Sequence, residues 1–137
     1  MTKDLWINLP VKDLAKSKAF FKALGFSFNE KSGTVPDFMA CLLVGNKSVV
    51  MLCEEPAFKG FNQFPITDTK TSSEVLFSFD AESREEVDEL ARKVTEAGGV
   101  VFGKPSEHQG WMYGCGFSDL DGHRWNILYM DYSKLPK

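Results

Sequence analysis

Glu74, His108, Tyr113 and Asn126 are the residues of this chain whose types and settings could bind or transform a small molecule. Glu74 opens the run Glu74 to Asp80, in which Val75, Phe77 and Phe79 alternate with Glu74, Leu76 and Ser78. A carboxylate set among apolar neighbours favours its protonated form, so Glu74 is the candidate general base; the alternatives are contact with a cationic ligand or an ion pair with Arg124. Asn126 lies in the alternating run after Asp121-Gly122, where Trp125, Ile127 and Tyr129 take one face and Arg124, Asn126, Leu128 and Met130 the other. The first set suits packing on a helix, which leaves the set around Asn126 to face a ligand. His108, in Glu107-His108-Gln109-Gly110-Trp111-Met112-Tyr113, enters a strand, and it and Tyr113 are candidates to touch that ligand. The second histidine, His123, follows the turn glycine and is expected to hydrogen-bond there rather than to catalyse.

The elements that must position these residues come in two similar sets. Leu5 to Pro10 alternates as a strand, with Ile7 and Leu9 opposite Trp6 and Asn8. Asp13 caps a helix whose stripe is Leu14, Ser17, Phe20, Phe21 and Leu24, and Gly25 ends it. Strand-like runs follow at Phe26 to Glu30, Phe38 to Val44 and Ser48 to Glu54, the last two joined through Gly45-Asn46. The same order then recurs: a strand from Glu74, a capping box at Ser83-Arg84-Glu85-Glu86, a stripe of Val87, Leu90, Ala91 and Val94, a stop at Gly98-Gly99, and strands at Val100 to Phe102, Trp111 to Phe117 and His123 to Met130. Helix caps Asp13 and Ser83 lie 70 residues apart, stop glycines Gly25 and Gly98 lie 73 apart, and strand centres Met51 and Asn126 lie 75 apart. Near-constant spacing predicts a duplicated β-α-β-β-β module. Residues 1–54 form the first and 74–131 the second, within one domain spanning 1–137. Glu55 to Ser73, with Phe58, Phe61, Phe64 and two prolines, has neither period and reads as an irregular connection, a candidate lid or interface element.

Composition sets the limits. With 16 Lys and Arg against 19 Asp and Glu the net charge is −3, and no basic cluster interrupts it, so nucleic acid and acidic membrane surfaces are disfavoured partners. No apolar stretch approaches the ~20 residues that cross a bilayer, and Met-Thr-Lys-Asp-Leu-Trp lacks the apolar run of a signal peptide, so a cytoplasmic location is expected. Cys41, Cys53 and Cys115 are odd in number and have no paired metal-like spacing, which suits free, buried thiols. Cys53 shares parity with Met51 but has no base nearby in sequence to make it a nucleophile.

Val-Lys-Asp-Leu-Ala-Lys-Ser-Lys-Ala-Phe-Phe-Lys-Ala-Leu-Gly-Phe near the start, Asp-Leu-Asp-Gly-His-Arg-Trp-Asn near the end and the paired modules together resemble the vicinal oxygen chelate superfamily, the group of glyoxalase I, extradiol dioxygenases and the bleomycin and fosfomycin resistance proteins. The resemblance implies an α+β fold of two tandem βαβββ modules, their strands forming a cupped, barrel-like mixed sheet with the helices outside, and a homodimer. It also implies a divalent metal held by paired strand positions. Here those positions carry Trp6 where the family has His, Met51 where it often has Glu, Glu74 where it has His or Glu, and Asn126 where it has Glu. Indole nitrogen only donates, and a neutral amide is a poor ligand for zinc or iron. The expected function is therefore binding of a small organic molecule in an apolar cup, without cofactor, by Trp6, Asn8, Met51, Glu74, His108, Tyr113, Asn126 and Met130. The alternative is a metal-dependent glyoxalase- or dioxygenase-type enzyme whose atypical ligand set is Glu74 with His108 or another residue.

Overall fold

In a computed structural model that describes residues 1–31, 33 and 35–135, the chain divides into two units, Met1–Asp68 and Thr69–Lys137. The division falls inside the segment expected to connect the modules.

Unit 1 runs β1 (Ile7–Val11), α1 (Leu14–Ala23), β2 (Ser27–Asn29), β3 (Met39–Val44), β4 (Ser48–Glu54) and α2 (Glu55–Asn62). Asp13 starts α1 by accepting the Lys16 N–H at 3.1 Å, which satisfies one of the first turn's orphan donors. At the other end Gly25, at φ 103°, lets Phe26 N–H return to the Phe21 carbonyl at 3.0 Å. The buried stripe of α1 is Ser17, Phe20 and Phe21, and Val11, Leu42 and Leu52 from the sheet are fully buried with it. Withdrawing each of the apolar side chains among these from water contributes roughly 1.5–3 kcal/mol. The sheet order is β1-β4-β3-β2, with β1 parallel to β4, a pairing that needs a crossover such as α1.

The connection is not irregular throughout. Pro56 stands in the first turn of α2, where its fixed φ fits and its missing N–H is no loss, and Gln63 closes the helix in the left-handed region at φ 65°. The ring of Phe61 lies 6.2 Å from that of Phe38, although Phe61 and Phe64 remain largely exposed.

Unit 2 runs β5 (Leu76–Asp80), α3 (Arg84–Glu96), β6 (Val100–His108), β7 (Met112–Ser118), β8 (Arg124–Met130) and a short 3-10 turn (Tyr132–Lys134), with sheet order β5-β8-β7-β6. The β-α-β-β-β order of unit 1 therefore repeats. Ser83 accepts the Glu86 N–H at 3.1 Å, while the Glu86 carboxylate reaches back to the N–H of Glu82 at 3.0 Å, one residue before the one a standard capping box uses. Val87, Leu90, Ala91 and Val94 are buried as the stripe predicts. Gly98, at φ 98°, ends α3, and Gly99 N–H bonds the Val94 carbonyl at 2.9 Å. β6 is longer than the expected three residues because two irregularities, between Val101 and Gly103 and between Gly103 and Ser106, let pairing with β7 resume.

The β7–β8 turn is built on Asp119. One carboxylate oxygen accepts the N–H groups of Asp121 and His123, both at 3.0 Å, and the other accepts the indole N–H of Trp125 at 3.0 Å. Gly122 supplies φ 82°. Trp125 is 1 % exposed and lies 4.9 Å from the ring of Phe77.

Asp119→Ala removes the acceptor of three hydrogen bonds and is expected to cost about 3 kcal/mol in urea unfolding. Burial pushes the Asp119 carboxyl above its ordinary value of 3.8, against the opposing pull of His123 and of the donors. The folded chain thus holds this proton more tightly than the unfolded one, and the contribution is greatest at low pH and is lost as pH rises through the folded value. Stability of the wild type relative to Asp119→Asn should accordingly increase as pH falls toward 3.8; a difference that is flat or decreases on acidification would contradict this assignment.

Candidate functional site

In unit 2 one face of the sheet is committed to α3 and the other is not. Trp125 and Ile127 of β8 and Phe117 and Cys115 of β7 are buried on the α3 side. Arg124, Asn126, Leu128 and Met130, of opposite parity, are half-buried. Register groups the uncommitted face into rows: Leu76, Arg124 and Ser118; Ser78, Asn126 and Gly116; Asp80, Leu128 and Gly114; then Met130, Met112 and His108.

The two glycines let this face close up. A Cβ at Gly116 would stand 2.5 Å from the ring of Phe102 and 3.2 Å from Oδ1 of Asn126, so the bare strand gives both groups their places. A Cβ at Gly114 would meet the Ile127 carbonyl oxygen at 2.6 Å and Leu128 at 2.5 Å. The bulged path of β6 aims the half-exposed Phe102 across this face, and Arg124 Cζ lies 4.3 Å from the centre of its ring. Sequence reasoning passed over Phe102 and both glycines. The available signal was Gly114-Cys115-Gly116, two glycines of one parity in a strand, which marks a close approach.

The expected site residues distribute as follows. In unit 1, Asn8 and Met51 are register partners, with Cys41 completing their row, while Trp6 precedes β1 and is 58 % exposed. In unit 2, Asn126 and Met130 lie on the uncommitted face, and His108 ends β6 in the row of Met130, its Nε2 3.4 Å from Ser106 Oγ. Glu74 is exposed and precedes β5, which begins only at Leu76; it forms no ion pair with Arg124. The rows of Arg124 and Met130 are six residues apart along β8, about 20 Å at the rise of a strand, so Glu74 and His108 sit toward opposite ends. Tyr113 corrects the expectation. It lies on the α3 side, donating to Asp88 at 2.6 Å with Arg84 over its ring, and this bond, with some burial, pushes its hydroxyl pKa up.

Residues 3–44 match the bleomycin resistance protein-like N-terminal family. The chain is 40 % identical to a hypothetical protein from S. aureus whose solved structure superposes with a TM-score of 0.84, covering 94 % of this chain and 95 % of that one. A glyoxalase/bleomycin resistance protein/dioxygenase family enzyme from Burkholderia phytofirmans PsJN shares the fold at 23 % identity and a TM-score of 0.79, with 91 % and 96 % covered. The chain belongs to one family with the S. aureus protein, and its fold is that of the glyoxalase/bleomycin resistance protein/dioxygenase structures. The fosfomycin resistance protein FosX of Listeria monocytogenes has the same fold, at 19 % identity and a TM-score of 0.69 over 100 % and 95 % of the chains. The comparison with curated proteins gives no match.

The residues do not fit the metal that the resemblance to the vicinal oxygen chelate superfamily implies. Among the described residues, no group of three or more His, Cys, Asp and Glu could hold an ion. The positions corresponding to family ligands present an exposed indole, a thioether, an exposed acid ahead of its strand and an amide. Hard or borderline divalent ions hold to imidazole and carboxylate far better than to these.

Two outcomes check this geometry. Gly114→Ala should destabilise by roughly 1–3 kcal/mol and Gly116→Ala by less, because the first meets a backbone carbonyl and the second a half-exposed ring that can swing aside; equal thermal shifts would contradict the close packing at Ile127. Burial pushes the Cys115 thiol up to about 11, and burial also raises Cys53. Iodoacetamide at pH 8 should therefore leave both unlabelled in the folded protein and label them in denaturant, as mass spectrometry would record.

Proposed function

We propose that this protein binds a small organic molecule in the family's ligand cup without a catalytic metal, in the manner of family members that confer resistance by holding a drug. The uncommitted face of unit 2 carries the reading. Leu76, Leu128, Met112, Met130 and Phe102 supply apolar surface, and Asn126, Ser78 and Ser118 place a few polar groups along it, which is the composition of a small-molecule site. The row of Asn8 and Met51 in unit 1 has the same character, a neutral amide beside a thioether. The donor set argues against Lewis-acid catalysis, since one exposed carboxylate cannot hold an ion against water. Bleomycin resistance in the name of the matched family fits a small organic ligand. We further propose a homodimer in the cytoplasm. Among the described residues no helix is long and apolar enough to cross a membrane.

Metal analysis of protein purified without chelator is the decisive test. Zinc, nickel, iron and manganese are each expected far below one per chain, with Glu74→Ala changing nothing. Stoichiometric metal that disappears in Glu74→Ala would overturn the metal-free reading in favour of an enzyme. Light scattering should give twice the chain mass.

A further inference from the structure

Arg124 is a cation in an apolar setting, without a counter-charge among the described residues. Its guanidinium lies over the Phe102 ring, 4.3 Å from the centre, and no carboxylate among the described residues comes within ion-pair distance. Lys18, Lys22, Arg84, Arg92 and Lys134, by contrast, each face glutamate or aspartate. Two acids share the neighbourhood of Arg124 without pairing: Glu74 precedes β5 and is exposed, and Asp80 lies four residues along the face, at the register of Leu128. Stacking occupies the flat side of a guanidinium and leaves its edge donors free, and that edge matches the two oxygens of a carboxylate. Beside it in register stand Leu76, 53 % exposed, and Ser118, followed by Asn126 in the next row.

We propose that Arg124 anchors the ligand through a carboxylate, so that the class of molecule bound is a small organic monoanion whose apolar body lies on Leu76, Phe102 and Leu128. This rests on the apolar-site reading above and makes it specific. A single planar cation flanked by apolar carbon suits a monocarboxylate, whereas a phosphate dianion or a nucleic-acid backbone calls for several cations, which this face and a net charge of −3 do not supply. Gly116 is part of the arrangement, because the absent side chain makes room for the ring on which Arg124 rests.

The test is calorimetric titration of the full chain at pH 7 with 4-phenylbutyrate and with the neutral 4-phenylbutanol, using wild type, Arg124→Gln and Arg124→Lys. Wild type should prefer the acid by about tenfold or more. Arg124→Gln should abolish that preference and leave alcohol affinity within about twofold, while Arg124→Lys, with a point charge in place of the fork, should fall between. Thermal melts establish that each variant folds, and Arg124→Lys carries the comparison should Arg124→Gln fail to fold. Equal affinity of wild type for acid and alcohol, or an acid preference that survives Arg124→Gln, overturns the anchor while leaving the apolar site intact. Binding of neither compound overturns the anchor and counts against the apolar site as well.

Discussion

The carboxylate of Asp119 governs what unit 2 can present. By accepting two turn N–H groups with one oxygen and the Trp125 indole with the other, it ties the β7–β8 turn to the first core residue of β8. A strand has a period of two, so a one-residue slip here would send Arg124 and Asn126 into the packing against α3 and turn Trp125 and Ile127 out. The short sequence Asp119 to Asn126 is thus a register device, and any binding chemistry on the opposite face depends on it. Its cost is a nearly buried carboxylate, which three hydrogen bonds offset only in part.

The two units use one plan with different emphases. Each has a parallel pair bridged by a capped helix that ends at a positive-φ glycine. In unit 1, phenylalanines on α1 supply much of the packing; in unit 2, α3 carries only aliphatic buried residues, and the aromatic mass sits in the sheet as Phe77, Phe79, Phe117 and Trp125. With bulk placed on the α3 side of the sheet, β7 has two glycines available on the other side, where Phe102 and Leu128 settle over it. Core composition and site shape are linked through that choice.

Much of this was legible because it depends on local chemistry. Asp13 and Ser83 cap as their side chains predict, the stripe of α3 is buried in full, and the alternation from Arg124 to Met130 assigns faces correctly. The module repeat was legible in the spacing of caps and glycines. What escaped depends on nonlocal geometry. The extent of β6 requires two irregularities that only pairing with β7 reveals, and those irregularities aim Phe102. Trp6 and Glu74 continue the alternation of their strands in sequence, yet both lie before the paired residues begin. Tyr113 alternates in step with Cys115 and Phe117, both buried, and pairs with Tyr129, so strand parity assigns it to the α3 side.

A sheet face can turn from metal chemistry to ligand capture through few changes, because the scaffold and the site make different demands. Ion binding needs three or four basic donors that converge within about 2–2.5 Å of one point, and losing two of them ends it. Binding an organic molecule needs area, a dry wall and one or two oriented polar groups, which the same strand positions supply when they carry Met, Leu and Asn. A cation on such a wall must then be satisfied in some other way. Arg124 obtains part of that from the π face of Phe102. If Arg124 anchors a ligand as proposed, stacking fixes the guanidinium beforehand, less side-chain freedom is lost on binding than a solvent-exposed lysine would lose, and a single charge decides which molecules the surface accepts.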